Sequence, residues 1–282
     1  MSEPILSRAV EYFASKTLEI TGAELERPWK WGDYDEGVRF AFFRTYEELR
    51  ELAARLGAER ARSGRPLSLA QRILSQYNAA YRDLQAVLLG VSDPDAARTP
   101  AEGEWALREV VLHMIETERS FFTVLYYTLE SAHRGESPPQ DVSEAAWNAL
   151  WAGDTFEQVQ EKAPLSGIWA YYTTLHARVM DEFLGISIEQ LNLPSWFWEN
   201  TPMTVEFRLH RFDSHLRQHT IQAEKTLEML GLHPTEAHRL LRLIFAALAE
   251  VEGVWMDSGE PGLGTRQVLA ETIRSRADDI SR

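Results

Sequence analysis

Four long stretches of this chain repeat their apolar residues at the three-to-four-residue spacing of a helix. Almost nothing in it alternates with the period of two that a half-buried strand requires. The stretches run from Ser68 to Leu89, through His113 to about Ser131, from about Ser166 to Leu184, and from Thr201 to Gly231. A chain so patterned buries its apolar faces by packing helix on helix, so the fold class is all-α. Gly90, Gly185 and Gly231 stand where helices should stop. Thr99-Pro-Ala-Glu102 has the form of a capping box opening the second stretch, with Gly103 blurring the starting residue, and Thr201-Pro202 predicts an N-cap and first-turn proline for the fourth.

Shorter helices are predicted from Glu3 to Leu18, Thr45 to Arg62, Ser143 to Trp151, and from beyond His233-Pro234 to about Glu252. A last short one follows a Gly-rich run, Ser258 to Thr265. This divides the chain into a helical N-terminal extension (1–67), a central bundle (68–232) and a helical C-terminal extension (233–282). Two aromatic segments fall between helices. Trp29, Trp31 and Tyr34 are expected to be buried as the N-terminal extension packs on the bundle, with a pocket wall or a partner surface as the alternative, and Ser195-Trp-Phe-Trp198, in the connection from Ile186 to Thr201, should hide its rings against one end of the bundle.

Composition removes several function classes. With 29 Lys and Arg against 43 Asp and Glu, the formal charge of −14 repels phosphate backbones, so nucleic acid is not an expected partner. The absence of cysteine excludes disulfides, thiolate metal sites and a cysteine nucleophile. The start of the chain lacks the basic region and apolar core of a secretory signal, and no apolar run reaches the roughly 20 residues that span a bilayer. A cytoplasmic protein with no membrane partner is expected. Gly259-x2-Gly262-Leu-Gly264 has no strand before it and reads as a turn, not a nucleotide loop.

Three histidines carry the chemistry. His215 and His219 stand one helical turn apart, at the border of an apolar stripe formed by Val205, Leu209, Leu216, Leu227 and Leu230, so both imidazoles can reach one ion. His113 lies in the second stretch on a polar face with Glu109, Glu116, Thr117 and Ser120. Three nitrogen ligands leave a tetrahedral ion one open position, the arrangement of catalytic sites. Ordinary surface or core histidines, and a solvated face around His113, are the alternatives. Glu116, one turn from His113, is the candidate proton acceptor. His176 is better read as a hydrogen-bonded core residue, and Arg211 or Arg217 as a surface residue or an anchor for an anionic substrate.

Leu84-Gln-Ala-Val-Leu-Leu-Gly90, Trp105-x2-Arg108-Glu109-Val110-x2-His113-x2-Glu116-x-Glu118 and Arg211-x3-His215-Leu-Arg-Gln-His219-Thr-Ile-Gln222 together resemble the DinB/YfiT-like superfamily, over about Ser68 to Leu232. The resemblance implies an up-down-down-up four-helix bundle and one divalent ion, zinc or nickel first and iron as a further candidate, held by His113, His215 and His219. It also implies a metal-dependent enzyme, in the first place a transferase using a low-molecular-weight thiol and a small-molecule substrate. A metal-dependent hydrolase with Glu116 as base, or a stress-linked binding module with a structural metal, are the other readings, and a homodimer is left open. Related iron enzymes carry H-x3-H-x-E, whereas Ile221 stands at that last position here.

Overall fold

The computed structural model describes residues 5–256 and 263–282, and the chain divides into two units. One is built from 1–66, 82–90 and 232–282, the other from 67–81 and 91–231. Of the expected Gly-rich run, positions 258–262 lie outside the described residues, as do the first residues of the helix expected from Glu3. No helix among the described residues is long and apolar enough to cross a membrane.

The unit that joins the two ends of the chain rests on α1 (Ile5–Thr17), α3 (Val38–Arg62), α12 (Glu236–Trp255) and α13 (Leu263–Ile280). Helix α1 packs on α12 and α13, and α3 packs on the same two. Helix α3 starts at Val38, seven residues before the predicted Thr45. Gly37, at φ 81°, turns the chain, after which Val38, Ala41, Phe42, Thr45 and Leu49 bury one face at helical spacing. Helix α13 spans 18 residues and is not the short helix expected; its buried face of Ala270, Ile273, Ala277 and Ile280 is too weakly apolar to stand out in sequence.

Arg82, near the end of α4 (Leu69–Val87), is the polar centre of this unit. It donates to both oxygens of Glu252 at 2.9 and 2.6 Å and to Gln85 at 2.6 Å, while Ser7 donates to the same Glu252 carboxylate at 2.6 Å. A buried guanidinium is tolerable because it is matched in charge and in hydrogen bonds. Between the short helix α2 (Gly22–Leu25) and α3, Lys30–Trp31 pairs with Tyr34–Asp35 in a two-residue antiparallel hairpin, β1 and β2. The expected burial of its rings is corrected: Trp31 and Tyr34 stay exposed, in tilted and edge-on contact with each other and with Phe40.

The second unit contains the first part of α4, α5 (Asp93–Ala96), α6 (Leu107–His133), α7 (Glu144–Leu150), α8 (Phe156–Lys162), α9 (Leu165–Phe183), α10 (Ile188–Leu191) and α11 (Val205–Met229). Helix α6 packs along α11 and α9, and the chain is all-α apart from two-residue strand pairs. Two predicted starts differ from those observed, the first because of a local turn and the second because of a strand pairing. Gly103 at φ 82° interrupts the Thr99 box, so α6 begins at Leu107, where Glu109 reaches back to the Ala106 N–H at 2.7 Å. Residues Met203–Thr204 (β4) pair with Pro194–Ser195 (β3), so Thr204 rather than Thr201 caps α11, accepting from the Phe207 N–H at 3.1 Å.

The connection between β3 and β4 hides only part of its aromatic content. Phe197 lies 5.9 Å from Phe121, whereas Trp198 is 78% exposed, against the expectation for these rings. Its anchor is polar: buried Arg208 donates to both oxygens of Glu199, at 2.7 and 2.5 Å.

Candidate metal centre

Helix α11 buries Val205, Leu209, Phe212, Leu216, Ala223 and Leu227, and His215 and His219 fall on that stripe. They are only 6% and 7% exposed, so the pair sits within the buried face and not at its border. Four-residue spacing brings the rings edge to face, with centroids 4.4 Å apart and the two Nε2 atoms 3.1 Å apart. From α6, half-buried His113 brings its ring to 4.7 Å from His219 and 5.4 Å from His215. One nitrogen from each of the three lies within 4.8 Å of the others.

The hydrogen bonds fix which nitrogen faces inward. His219 Nδ1 is 2.7 Å from Gln222 Oε1. An amide oxygen only accepts, so Nδ1 carries the proton and Nε2 presents its lone pair to the cluster. Burial, then the charges of His219, His113 and Arg211, push His215 down to about 3. Burial also lowers His113, followed by the charge of His219 and opposed by Glu116. Both imidazoles are therefore neutral at pH 7, the state a metal requires.

These residues fit a divalent ion. Tetrahedral coordination with metal–nitrogen bonds of about 2.0–2.1 Å places ligand nitrogens roughly 3.4 Å apart, close to the 3.1 Å pair already present. The third nitrogen closes the set by a movement on the order of an ångström, within reach of a side-chain rotation on half-buried His113. His215 Nδ1 is buried without a hydrogen-bond partner, so this ring is held by its apolar surroundings and by what its Nε2 meets. Trp105 stands edge-on to His113 at 5.1 Å and Phe121 to His215 at 5.7 Å, walling two sides of the cluster.

Glu116 is exposed on α6, one turn past His113, where its charge is felt by that imidazole. Ile221 is 68% exposed, so the position that carries a glutamate in the iron enzymes points away from the cluster here. His176 is not one of the three grouped histidines; it stacks on Tyr81 at 3.9 Å and lies 4.9 Å from Tyr77. Arg217 is tied to Asp213 at 2.8 Å on an exposed face. A shallow cleft of 330 Å³ lined by Asp93, Arg108, Lys162 and Leu165 includes none of the three histidines.

One group escaped the sequence reading. Glu118 is fully buried and accepts from the hydroxyls of Tyr77 and Tyr172, both at 2.6 Å, so three helices meet at one carboxyl group. Desolvation pushes it up to about 8, against the two hydroxyl donors. The signal was present: Val111, Ile115, Glu118, Phe122 and Leu125 form one stripe at helical spacing, and a carboxyl group in an apolar stripe must find partners.

Comparison with known proteins supplies the family. A sequence model of the DinB superfamily matches residues 76–223, more than half of the chain and all three clustered histidines. The chain belongs to the DinB superfamily. No curated protein and no solved structure matches it. Metal binding is a property of the DinB superfamily, and the His113, His215 and His219 cluster is compatible with it.

Proposed function

We propose that this DinB protein is an enzyme that activates a low-molecular-weight thiol for transfer to a small electrophile, using one divalent ion held by His113, His215 and His219. The observation that carries the reading is the convergence of three nitrogens within 4.8 Å, with one tautomer fixed by Gln222 and no carboxylate in the set. In this reading α4, α6, α9 and α11 form the family's up-down-down-up bundle within 68–232, and 1–67 and 233–282 are additions to it.

When bound, a zinc- or nickel-type ion supplies Lewis acidity that stabilises a thiolate at neutral pH. The chain's own residues do the rest. Gln222 holds the His219 ring with Nε2 inward, so that ligand needs no tautomer change. Trp105 and Phe121 keep water from the flanks of the imidazoles. Half-buried His113 marks the open side of the cluster, and Glu116, exposed beside it, is positioned to take the thiol proton on a carboxylate oxygen as the sulfur attacks.

The test is conjugation of cysteine to 1-chloro-2,4-dinitrobenzene, in which the carbon–sulfur bond forms, chloride leaves and the thiol proton passes to the carboxylate or to solvent. The expected result is metal-dependent turnover that His215→Ala abolishes and Glu116→Gln slows. Turnover of esters or amides in buffer without thiol would replace this reading with a hydrolase. No turnover across a panel of thiols and electrophiles would remove the enzyme.

A further inference from the structure

We infer that Arg211 is the specificity residue of this centre, and that the ligand entering beside the three histidines carries a carboxylate that Arg211 binds. The inference rests on the metal-site reading above and adds the chemical class of the ligand.

Arg211, His215 and His219 follow one another at four-residue intervals, so one face of α11 presents a guanidinium and two imidazoles in a row. The guanidinium carbon lies 5.9 Å from the centre of the Phe121 ring, and Phe121 is itself 5.7 Å from the His215 ring. The same aromatic residue thus carries the cation on one side and borders the cluster on the other.

Helix α11 has three arginines, and they differ in what they hold. Arg208 is closed by both oxygens of Glu199, and Arg217 is paired with Asp213 at 2.8 Å. Among the described residues Arg211 has no carboxylate partner at ion-pair distance, and its side chain donates one hydrogen bond, to the Ser214 hydroxyl at 3.2 Å. Most of its five N–H donors carry no partner among the described residues, on a half-buried side chain that solvent or a ligand can reach. Glu199 is near enough for its charge to be felt by Arg211, but its oxygens are already taken by Arg208.

The local charge balance points the same way. The three imidazoles are neutral ligands, so a divalent ion keeps its full charge, and Arg211 adds another one turn away. On the other helix Glu116 is exposed on the His113 side, and Glu109 is turned back to the Ala106 N–H at 2.7 Å. A site with this excess of positive charge favours an anion, and the planar fork of arginine matches a carboxylate in two parallel hydrogen bonds. One helical turn separates Arg211 from His215, about 5–6 Å. A donor atom and a carboxylate joined by two or three carbons span roughly that distance.

The experiment uses cobalt-loaded full-length protein, whose visible bands respond to any ligand entering the site. Three probes are titrated: 3-mercaptopropionate, its uncharged counterpart 2-mercaptoethanol, and succinate, which has no thiol. Proteins are wild type, Arg211→Gln, Arg211→Lys and Arg217→Gln, each with its cobalt content measured first. The expected result is that wild type binds 3-mercaptopropionate about tenfold or more tightly than 2-mercaptoethanol. Arg211→Gln should lose this preference, Arg211→Lys keep part of it, and Arg217→Gln keep all of it. Equal binding of both thiols in wild type, or an unchanged preference in Arg211→Gln, overturns the inference and leaves thiol binding standing. Succinate binding that depends on Arg211, with no thiolate band from either thiol, keeps the inference and removes the thiol reading. Cobalt-loaded protein that responds to no probe overturns both.

Discussion

Glu118 should make the unit that holds the metal centre less stable as pH rises. With its carboxyl group held at about 8 in the folded chain and an ordinary value of 4.5 when unfolded, the folded state keeps a proton that the unfolded state gives up. The penalty is absent below about pH 4.5, grows between 4.5 and 8, and levels above 8. At about 1.4 kcal/mol per pKa unit, the interval corresponds to about 5 kcal/mol, an upper figure because a buried site relaxes as it ionises. Tyr77 and Tyr172 each donate to one oxygen of the Glu118 carboxyl group, and a carboxyl oxygen still accepts when the group is protonated. Glutamine has nearly the same shape and keeps an acceptor oxygen at this place, without titrating. The assay is urea unfolding of wild type and Glu118→Gln from pH 5 to pH 8.5, followed by tryptophan fluorescence. The difference between the two proteins cancels the other titrating groups. It should move in favour of the variant by about 1 kcal/mol per pH unit up to pH 8. Parallel profiles would show that Glu118 is already ionised at pH 5 and that the argument from burial is wrong.

Three other outcomes follow from the same geometry. Gln222→Leu frees the His219 tautomer and should weaken metal binding about 10- to 100-fold, read by competition with a chromophoric chelator; unchanged affinity would refute the orienting role. Since His215 sits near 3 and His113 is lowered, protons compete poorly for these two ligands, and metal occupancy should hold through pH 6, where a free imidazole is largely protonated. A midpoint at or above pH 6.5 would contradict the burial argument. Removing the metal with a chelator should leave helical circular dichroism nearly unchanged, because apolar stripes on α6, α9 and α11 bury far more than one site contributes; wholesale loss of helicity would make the metal structural.

The long helices and the histidine cluster were legible because each rests on spacing along a single element. His215-x3-His219 needs only a helix to bring its nitrogens together, and the apolar stripes fix which way that helix faces. What failed needed contacts distant in sequence. The start of α11 depends on Met203 pairing with Ser195, and no local signal competes with a threonine followed by proline at 201 and 202. The packing of α1 on α13 joins stretches at opposite ends of the sequence, through an Ala and Ile face that sequence patterning does not distinguish from a solvated helix. Choosing Glu116 over Glu118 as the notable carboxylate followed from nearness to His113 in sequence. The apolar stripe through Glu118 named the more strongly perturbed group.

The measurement that bears most directly on the three-histidine centre is metal content per chain, by elemental analysis of purified wild type and of His113→Ala, His215→Ala and His219→Ala, all loaded and dialysed identically. The geometry predicts about one divalent ion per wild-type chain, and a marked loss in each variant, because a ligand set of three has no spare member and no second group of metal-binding side chains exists among the described residues. Full occupancy in all three variants would contradict it.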